Sequence, residues 1–200
     1  MFITFEGGEG TGKTTVIKLV EQRLGKEYQL ISTREPGGSF VAEAIRDIIL
    51  NPRYENVTPY TEALLLAASR VQHLDEVIVP ALKRGQIVLC DRYIDSSLAY
   101  QGYARKLGYD FILSINQYAL KHMPDVTFYI DLDPIIGIQR ISSRKKYDRL
   151  DQESAYFHAE VRTGYSELAK MYPKRIVVVD GTMTIEEIVD YIVFEIKKRL

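Results

Sequence analysis

Gly7-Gly8-Glu9-Gly10-Thr11-Gly12-Lys13-Thr14 reproduces the pattern G-x-x-x-x-G-K-[ST] in full. Glycines at this spacing let the backbone curl until successive N–H groups converge on an anion, and a helix beginning at the lysine adds partial positive charge. Lys13 is then placed to reach β- and γ-phosphates, and the Thr14 hydroxyl to ligate Mg²⁺. Together with Thr15, these residues form a cradle for a nucleoside triphosphate. Asp91 closes the apolar run Ile87-Val88-Leu89-Cys90, where an acid commonly supports the magnesium or its waters. Its other reading is a helix cap or a partner for Arg92. Arg34 and Arg92 each follow a short apolar run. Either arginine alone reads as a surface ion pair, but a guanidinium suits bidentate contact with phosphate oxygens. Two of them beside a phosphate loop point to a second phosphorylated ligand.

Those residues need elements that bring them to one edge. Short apolar runs alternate with longer helical patterns along the chain. Strands are expected at Phe2–Phe5, Tyr28–Ser32, Ile87–Cys90, Val126–Ile130 and Ile176–Val179, the third being continuously apolar and therefore central. Helices are expected at Lys13–Leu24, Phe40–Leu50, Thr61–Arg84 with a kink near Pro80, Ser96–Arg105, Asp110–His122, Pro134 to about Arg144, and Gln152–Met171. Asp133-Pro134 supplies a cap and a first-turn proline, and Thr184 with Glu187 forms a capping-box pattern ahead of the last helix. Strands separated by helices need crossovers, so the sheet is expected to be parallel with helices on both faces. Ligands of such sheets bind beyond the carboxyl ends of the strands, which is where Glu9, Arg34, Asp91 and Arg92 fall.

Composition narrows the classes. The 200 residues carry 26 Lys+Arg against 27 Asp+Glu, a net charge of −1, which argues against whole-surface binding to nucleic acid or membranes. No apolar run reaches the ~18 residues of a membrane span. The start of the chain does not read as a signal peptide, and the single Cys90 fits a reducing, cytoplasmic compartment. One cysteine and three scattered histidines make structural zinc unsuited. The Asn-Lys-x-Asp element that reads guanine in GTPases is absent. A small-molecule kinase is favoured over a nucleotide switch.

The motifs, in order, resemble the thymidylate kinase family, whose members phosphorylate dTMP with ATP. The resemblance rests on Phe5-Glu6-Gly7, Thr33-Arg34-Glu35-Pro36-Gly37-Gly38, Ala67-Ala68-Ser69-Arg70, Asp91-Arg92-Tyr93, Ser96-Ser97-Leu98-Ala99-Tyr100-Gln101-Gly102 and Asp148-Arg149-Leu150-Asp151. It implies an α/β, three-layer P-loop nucleoside monophosphate kinase fold with a five-stranded parallel sheet. The whole chain forms one domain, with a short basic lid at about residues 142–152. It also implies a Mg²⁺-dependent transfer to dTMP that serves dTTP synthesis, and a homodimer. By the same resemblance Glu9 faces the sugar 3′-hydroxyl and the magnesium region, and Arg34 and Arg92 hold the monophosphate. Arg70 and Gln101 hydrogen-bond the pyrimidine edge. Tyr100 lies beneath the sugar and leaves little room for a 2′-hydroxyl, while Ser97 and Arg46 line the pocket. Leu66 stands where the family commonly has Phe. Base stacking on an aromatic is worth roughly 1–3 kcal/mol, so weaker nucleotide binding is expected. The dUMP–dTMP difference, one methyl, is expected to be modest.

The basic run Arg140, Arg144, Lys145, Lys146, Arg149 reads in three ways. It is a solvated helix end, a nucleic-acid patch, or a lid that supplies a cation to the transferring phosphoryl. Some family members carry an arginine in the phosphate loop where this chain has Gly10. The chain is therefore similar to the bacterial type, whose catalytic arginine sits in the lid, and Arg144 and Arg149 are the candidates. Arg140 resembles the position against adenine. A deoxyribonucleoside kinase and a non-catalytic P-loop switch are the alternative functions.

Overall fold

The computed structural model describes residues 1–141 and 149–200. Five strands, β1 (Phe2–Glu6), β2 (Leu30–Arg34), β3 (Ile87–Asp91), β4 (Val126–Asp131) and β5 (Ile176–Asp180), form one sheet in the order β2-β3-β1-β4-β5. Every neighbouring pair is parallel. This is the expected fold class, with one correction. The central strand is β1; β3 is interior but lies beside it. Both are apolar because both are covered on two faces.

Alternation along β1 divides the core. Ile3 and Phe5 face a cluster with Val16, Ile17 and Val20 of α1 (Lys13–Leu24) and Ile188, Val189 and Ile192 of α9 (Ile185–Lys197). Helix α9 starts with the expected capping box between Thr184 and Glu187. On the opposite face Phe2 packs with Leu74, Ile78 and Tyr93. There Glu6 meets Tyr93, Ser96 and Tyr165 rather than a hydrocarbon.

Several helices depart from the sequence expectation. The expected helix 61–84 begins earlier, as α3 (Pro59–His73), because Thr58 accepts the Thr61 N–H and Pro59 occupies the first turn. It then widens into a π-helical turn over Leu74–Ile78 before α4 (Val79–Lys83). Pro80 has no N–H for the carbonyl four residues back, so the ladder loosens ahead of it. The expected helix 96–105 is instead α5 (Ile94–Ser97) followed by a π-helical turn over Leu98–Ala104. The expected helix 110–122 is α6 (Tyr109–Ile115) and then a 3₁₀ turn, Ala119–His122. Asn116 breaks it, since its side-chain amide donates to the Ile112 carbonyl at 2.8 Å.

Helix α2 (Phe40–Leu50) agrees with expectation. Strand β2 starts two residues late because the Tyr28 N–H closes the end of α1 on Leu24. Helix α7 (Pro134–Ile141) starts with the expected Asp133 cap, whose carboxylate accepts the Ile135 N–H at 2.8 Å. Its expected end at Arg144 lies outside the described residues. Helix α8 (Ala155–Met171) starts at the Ser154 cap rather than at Gln152. Among the described residues no helix is long and apolar enough to cross a membrane.

Candidate active site

The carboxyl ends of β1, β2 and β3 open into a cavity of about 300 Å³. Residues 9–15 of the phosphate loop form one wall, with Asp91 and Arg92 beside them. Arg34, Arg46, Leu66, Arg70, Ser97, Tyr100 and Gln101 line the rest. The sheet thus gathers almost all the site residues expected from sequence. Gly7 and Gly8 lie behind the wall, where their carbonyls accept Lys13 Nζ at 2.9 and 3.1 Å. Arg140, on α7, reaches the Gly10 carbonyl at 3.4 Å from outside the cavity. Thr11 Oγ1 bonds the Gly8 carbonyl at 3.1 Å and stiffens the turn.

Gly10 meets α7 more tightly than any side chain allows. Its φ is +69°, and a Cβ there would lie 2.0 Å from the Gly137 carbonyl oxygen. A Cβ on Gly137 would lie 2.2 Å from the Glu9 carbonyl oxygen. The loop and the helix touch backbone to backbone.

Arg92 is the electrostatic centre. Its backbone is left-handed, with φ +69°, conformational strain of the kind concentrated at functional sites. Nη2 donates to Glu9 Oε1 at 2.6 Å, and Nη1 to Ser96 Oγ and Tyr165 Oη at 3.2 Å each. The guanidinium lies 5.0 Å from the centre of the Tyr100 ring. Among the described residues, two of its five N–H groups have no partner and are left for a ligand. Tyr100 Oη also donates to Glu9 Oε1, at 3.0 Å. Burial pushes the Glu9 carboxyl up, but Arg92, Lys13 and the Tyr100 hydroxyl outweigh that and hold it at about 2. Glu6 is the opposite case. Burial and the nearby Asp95 raise it to about 7 against Arg92 and its own hydrogen bonds.

Arg70 is 2% exposed, and four of its N–H groups are spoken for. Nε donates to Glu35 Oε2 at 2.7 Å, Nη1 to Asn116 Oδ1 at 2.6 Å, and Nη2 to the Tyr93 carbonyl and Ser97 Oγ at 3.1 and 3.0 Å. Among the described residues the fifth N–H has no partner and is left to read a ligand. Glu35 is in turn bonded to His73, whose other ring nitrogen meets Thr33 Oγ1. Arg34, at the end of β2, pairs with Glu43 of α2, and Arg46 of α2 donates to the Pro36 carbonyl, so both line the cavity at this end of the sheet. The Glu35–Pro36 peptide is cis.

Thr14 Oγ1 lies 3.2 Å from Asp91 Oδ2, and Asp91 Oδ1 is buried with no hydrogen-bond partner among the described residues. An unpaired carboxylate oxygen beside a phosphate-loop threonine fits a hard cation. Mg²⁺ takes few protein ligands when phosphates and water supply the others.

Arg149 lies elsewhere. Its guanidinium donates to Glu62 on α3 and to the Ile49 carbonyl at 2.9 Å. Arg144 and most of the expected lid lie outside the described residues. Sequence reasoning did not find Glu6, Glu35, Glu62, Asn116 or Tyr165 as supporting residues. Glu6 and Glu35 stand inside Phe5-Glu6-Gly7 and Thr33-Arg34-Glu35-Pro36-Gly37-Gly38, and an acid within each motif was the available signal. Asn116 and Tyr165 carried none, because the site arginines they meet, Arg70 and Arg92, lie 46 and 73 residues away.

The family model for thymidylate kinase matches residues 5–192. A thymidylate kinase of Acholeplasma laidlawii is 56% identical, with all of both chains covered. One of Clostridium novyi is 48% identical over 94% of this chain and 93% of its own. The crystal structure of a thymidylate kinase from Ehrlichia chaffeensis superposes with a TM-score of 0.80 at 32% identity, covering 98% of each chain.

Proposed function

The chain belongs to the thymidylate kinase family, and from that premise we infer that it transfers the γ-phosphoryl of ATP to dTMP, giving ADP and dTDP for dTTP synthesis. One observation carries the reading. The triphosphate cradle and the side chains expected to hold a nucleoside monophosphate line a single cavity, with Arg92 between them. Attack by a dTMP phosphate oxygen forms the new P–O bond as the bond from Pγ to the ADP oxygen breaks. Lys13 neutralises charge on the β- and γ-phosphates, and the two N–H groups left on Arg92 orient the acceptor phosphate with Arg34. Positioning and charge neutralisation supply the rate, with no covalent enzyme intermediate. Glu9 stays ionised and pinned by Arg92 and Tyr100, ready to accept from the sugar 3′-hydroxyl.

Thr14 and Asp91 would hold magnesium, which would supply positive charge to offset the charge developing on the phosphates. Arg70 offers one N–H to a base carbonyl, Gln101 an amide to the base edge, and Leu66 an apolar floor. A lid arginine completes the charge. Arg144 is one candidate; the other, Arg149, reaches phosphate only by exchanging Glu62 for it. Arg140 is the candidate for the adenine side.

A coupled assay across dTMP, dUMP, dCMP, dGMP and thymidine tests the reading. Turnover of dTMP is expected. Use of thymidine but not dTMP would mean a deoxyribonucleoside kinase, and ATP turnover independent of any acceptor would mean a switch. A homodimer is supported by exposed Tyr60, Leu64 and Val71 at helical spacing on α3, next to exposed Val41 and Ile48 on α2. Sedimentation of the wild type and Leu64→Glu tests it, with a monomer expected from the variant. The buried thiol Cys90 fits a cytoplasmic location.

A further inference from the structure

Glu62 is 1% exposed, lies in the first turn of α3, and does not line the cavity. Four donors converge on it. Gln101 Nε2 reaches Oε1 at 2.7 Å, Arg105 reaches Oε1 and Oε2 at 3.3 Å each, and Arg149 reaches Oε2. Burial pushes this carboxyl up, yet Arg105, Arg149 and the Gln101 amide prevail and lower it below the usual glutamate value. An ionised carboxylate only accepts. The side-chain amide of Gln101 therefore has to turn its NH₂ towards Glu62, whichever way an amide is drawn. Gln101 is itself a cavity residue. With its nitrogen held in the wall, the end left for the cavity is Oε1, an acceptor.

We propose that Glu62 is the positioning residue for base selection: by accepting Gln101 Nε2, it presents Gln101 Oε1 to a pyrimidine that carries an N3–H donor and turns away one whose N3 accepts. This rests on the reading that the base lies against Gln101. Thymine and uracil carry that N–H; cytosine does not. The last N–H of Arg70 acts in the same sense, since thymine O4 accepts where cytosine N4 donates. Two facing acceptors, Gln101 Oε1 and cytosine N3, leave both buried and unpaired, which costs more than losing an apolar contact.

Glu62→Gln separates positioning from simple support. Two of the three arginine donors reach Oε2, so the new carboxamide keeps its oxygen there and turns its NH₂ to Gln101, giving up the 3.3 Å bond from Arg105 Nε. Gln101 must then flip and present NH₂ to the cavity. The test measures kcat/KM for dTMP and dCMP in the wild type, Glu62→Gln and Gln101→Leu, with thermal melts as a folding check. In Glu62→Gln the dTMP-over-dCMP preference is expected to fall at least roughly 100-fold, with dCMP turnover rising in absolute terms. A parallel loss for both substrates at an unchanged ratio would mean structural support only and overturn the proposal. A Gln101→Leu ratio equal to that of the wild type would instead show that the base lies elsewhere, which defeats the underlying reading. If Glu62→Gln does not fold, the wild type still decides. The Gln101 side-chain NH₂ protons, assigned by NMR, are expected to exchange slowly with solvent before and after dTMP is added. Exchange that slows only on adding dTMP would place the NH₂ on the base and refute the proposal.

Discussion

Glu35→Gln removes a charge from the least solvated ion pair of the site. The Glu35 and Arg70 side chains are 3% and 2% exposed, and their 2.7 Å contact is the one charged bond Arg70 makes among the described residues. Breaking a buried pair by neutralising one partner costs about 3–5 kcal/mol, since the other charge stays desolvated. The carboxamide oxygen can keep one bond to Nε. Asn116, the Tyr93 carbonyl and Ser97 also keep their places around the guanidinium. The lower end, about 3 kcal/mol, is therefore expected. For a chain of this length each kcal/mol is about 2–4 °C, so the melting temperature should fall by roughly 6–12 °C. Scanning calorimetry reads the first effect. The second is a raised KM for dTMP with that for ATP nearly unchanged, as the proposed base-reading role of Arg70 requires. A melt within about 2 °C of wild type, with dTMP KM unaltered, would refute the claim that Glu35 holds Arg70 in place.

Leu66→Phe supplies the missing aromatic face to a buried position on the cavity wall; dTMP should bind about 10-fold more tightly by calorimetry, and unchanged affinity would place the base elsewhere. Arg149→Ala should cut kcat by about 10³ or more with dTMP affinity nearly intact if Arg149 leaves Glu62 for the phosphoryl; a loss confined to KM would remove it from the transition state. Glu6, raised to about 7, binds its proton more tightly folded than unfolded, so its contribution is full below about pH 4.5 and is lost as pH rises through 7. Urea melts at pH 5.5 and 8 should accordingly show wild type losing stability relative to Glu6→Gln, and parallel curves would contradict it.

The parts of the site that sequence made legible are those built from neighbours in the chain. The phosphate loop is eight contiguous residues whose roles follow from backbone geometry, and the alternation of strand and helix carries Arg34 and Arg92 to the same edge. What was not legible depends on long-range pairing. The family resemblance singled out Arg70, but not the Glu35 and Asn116 that close round it from 35 and 46 positions away. The π-helical turn carrying Tyr100 and Gln101 was equally hidden. Over seven residues a wider helical period looks like the ordinary one. Arg149 shows the limit in another way. Its charge suggested a phosphate, but the described structure gives it a buried carboxylate.

The backbone contact between Gly10 and Gly137 bears on how such enzymes diversify. In relatives that carry an arginine in the phosphate loop, that cation comes from the position Gly10 occupies here. No single substitution takes this chain there, because any side chain at position 10 must enter the space of the Gly137 carbonyl and hold φ +69° as well. An exchange would first require α7 to retreat, and the first step would damage the triphosphate cradle before the new cation helped. On the family resemblance, a loop arginine and the proposed lid arginine are two ways of supplying the cation, and the packing of Gly10 on Gly137 stands between them.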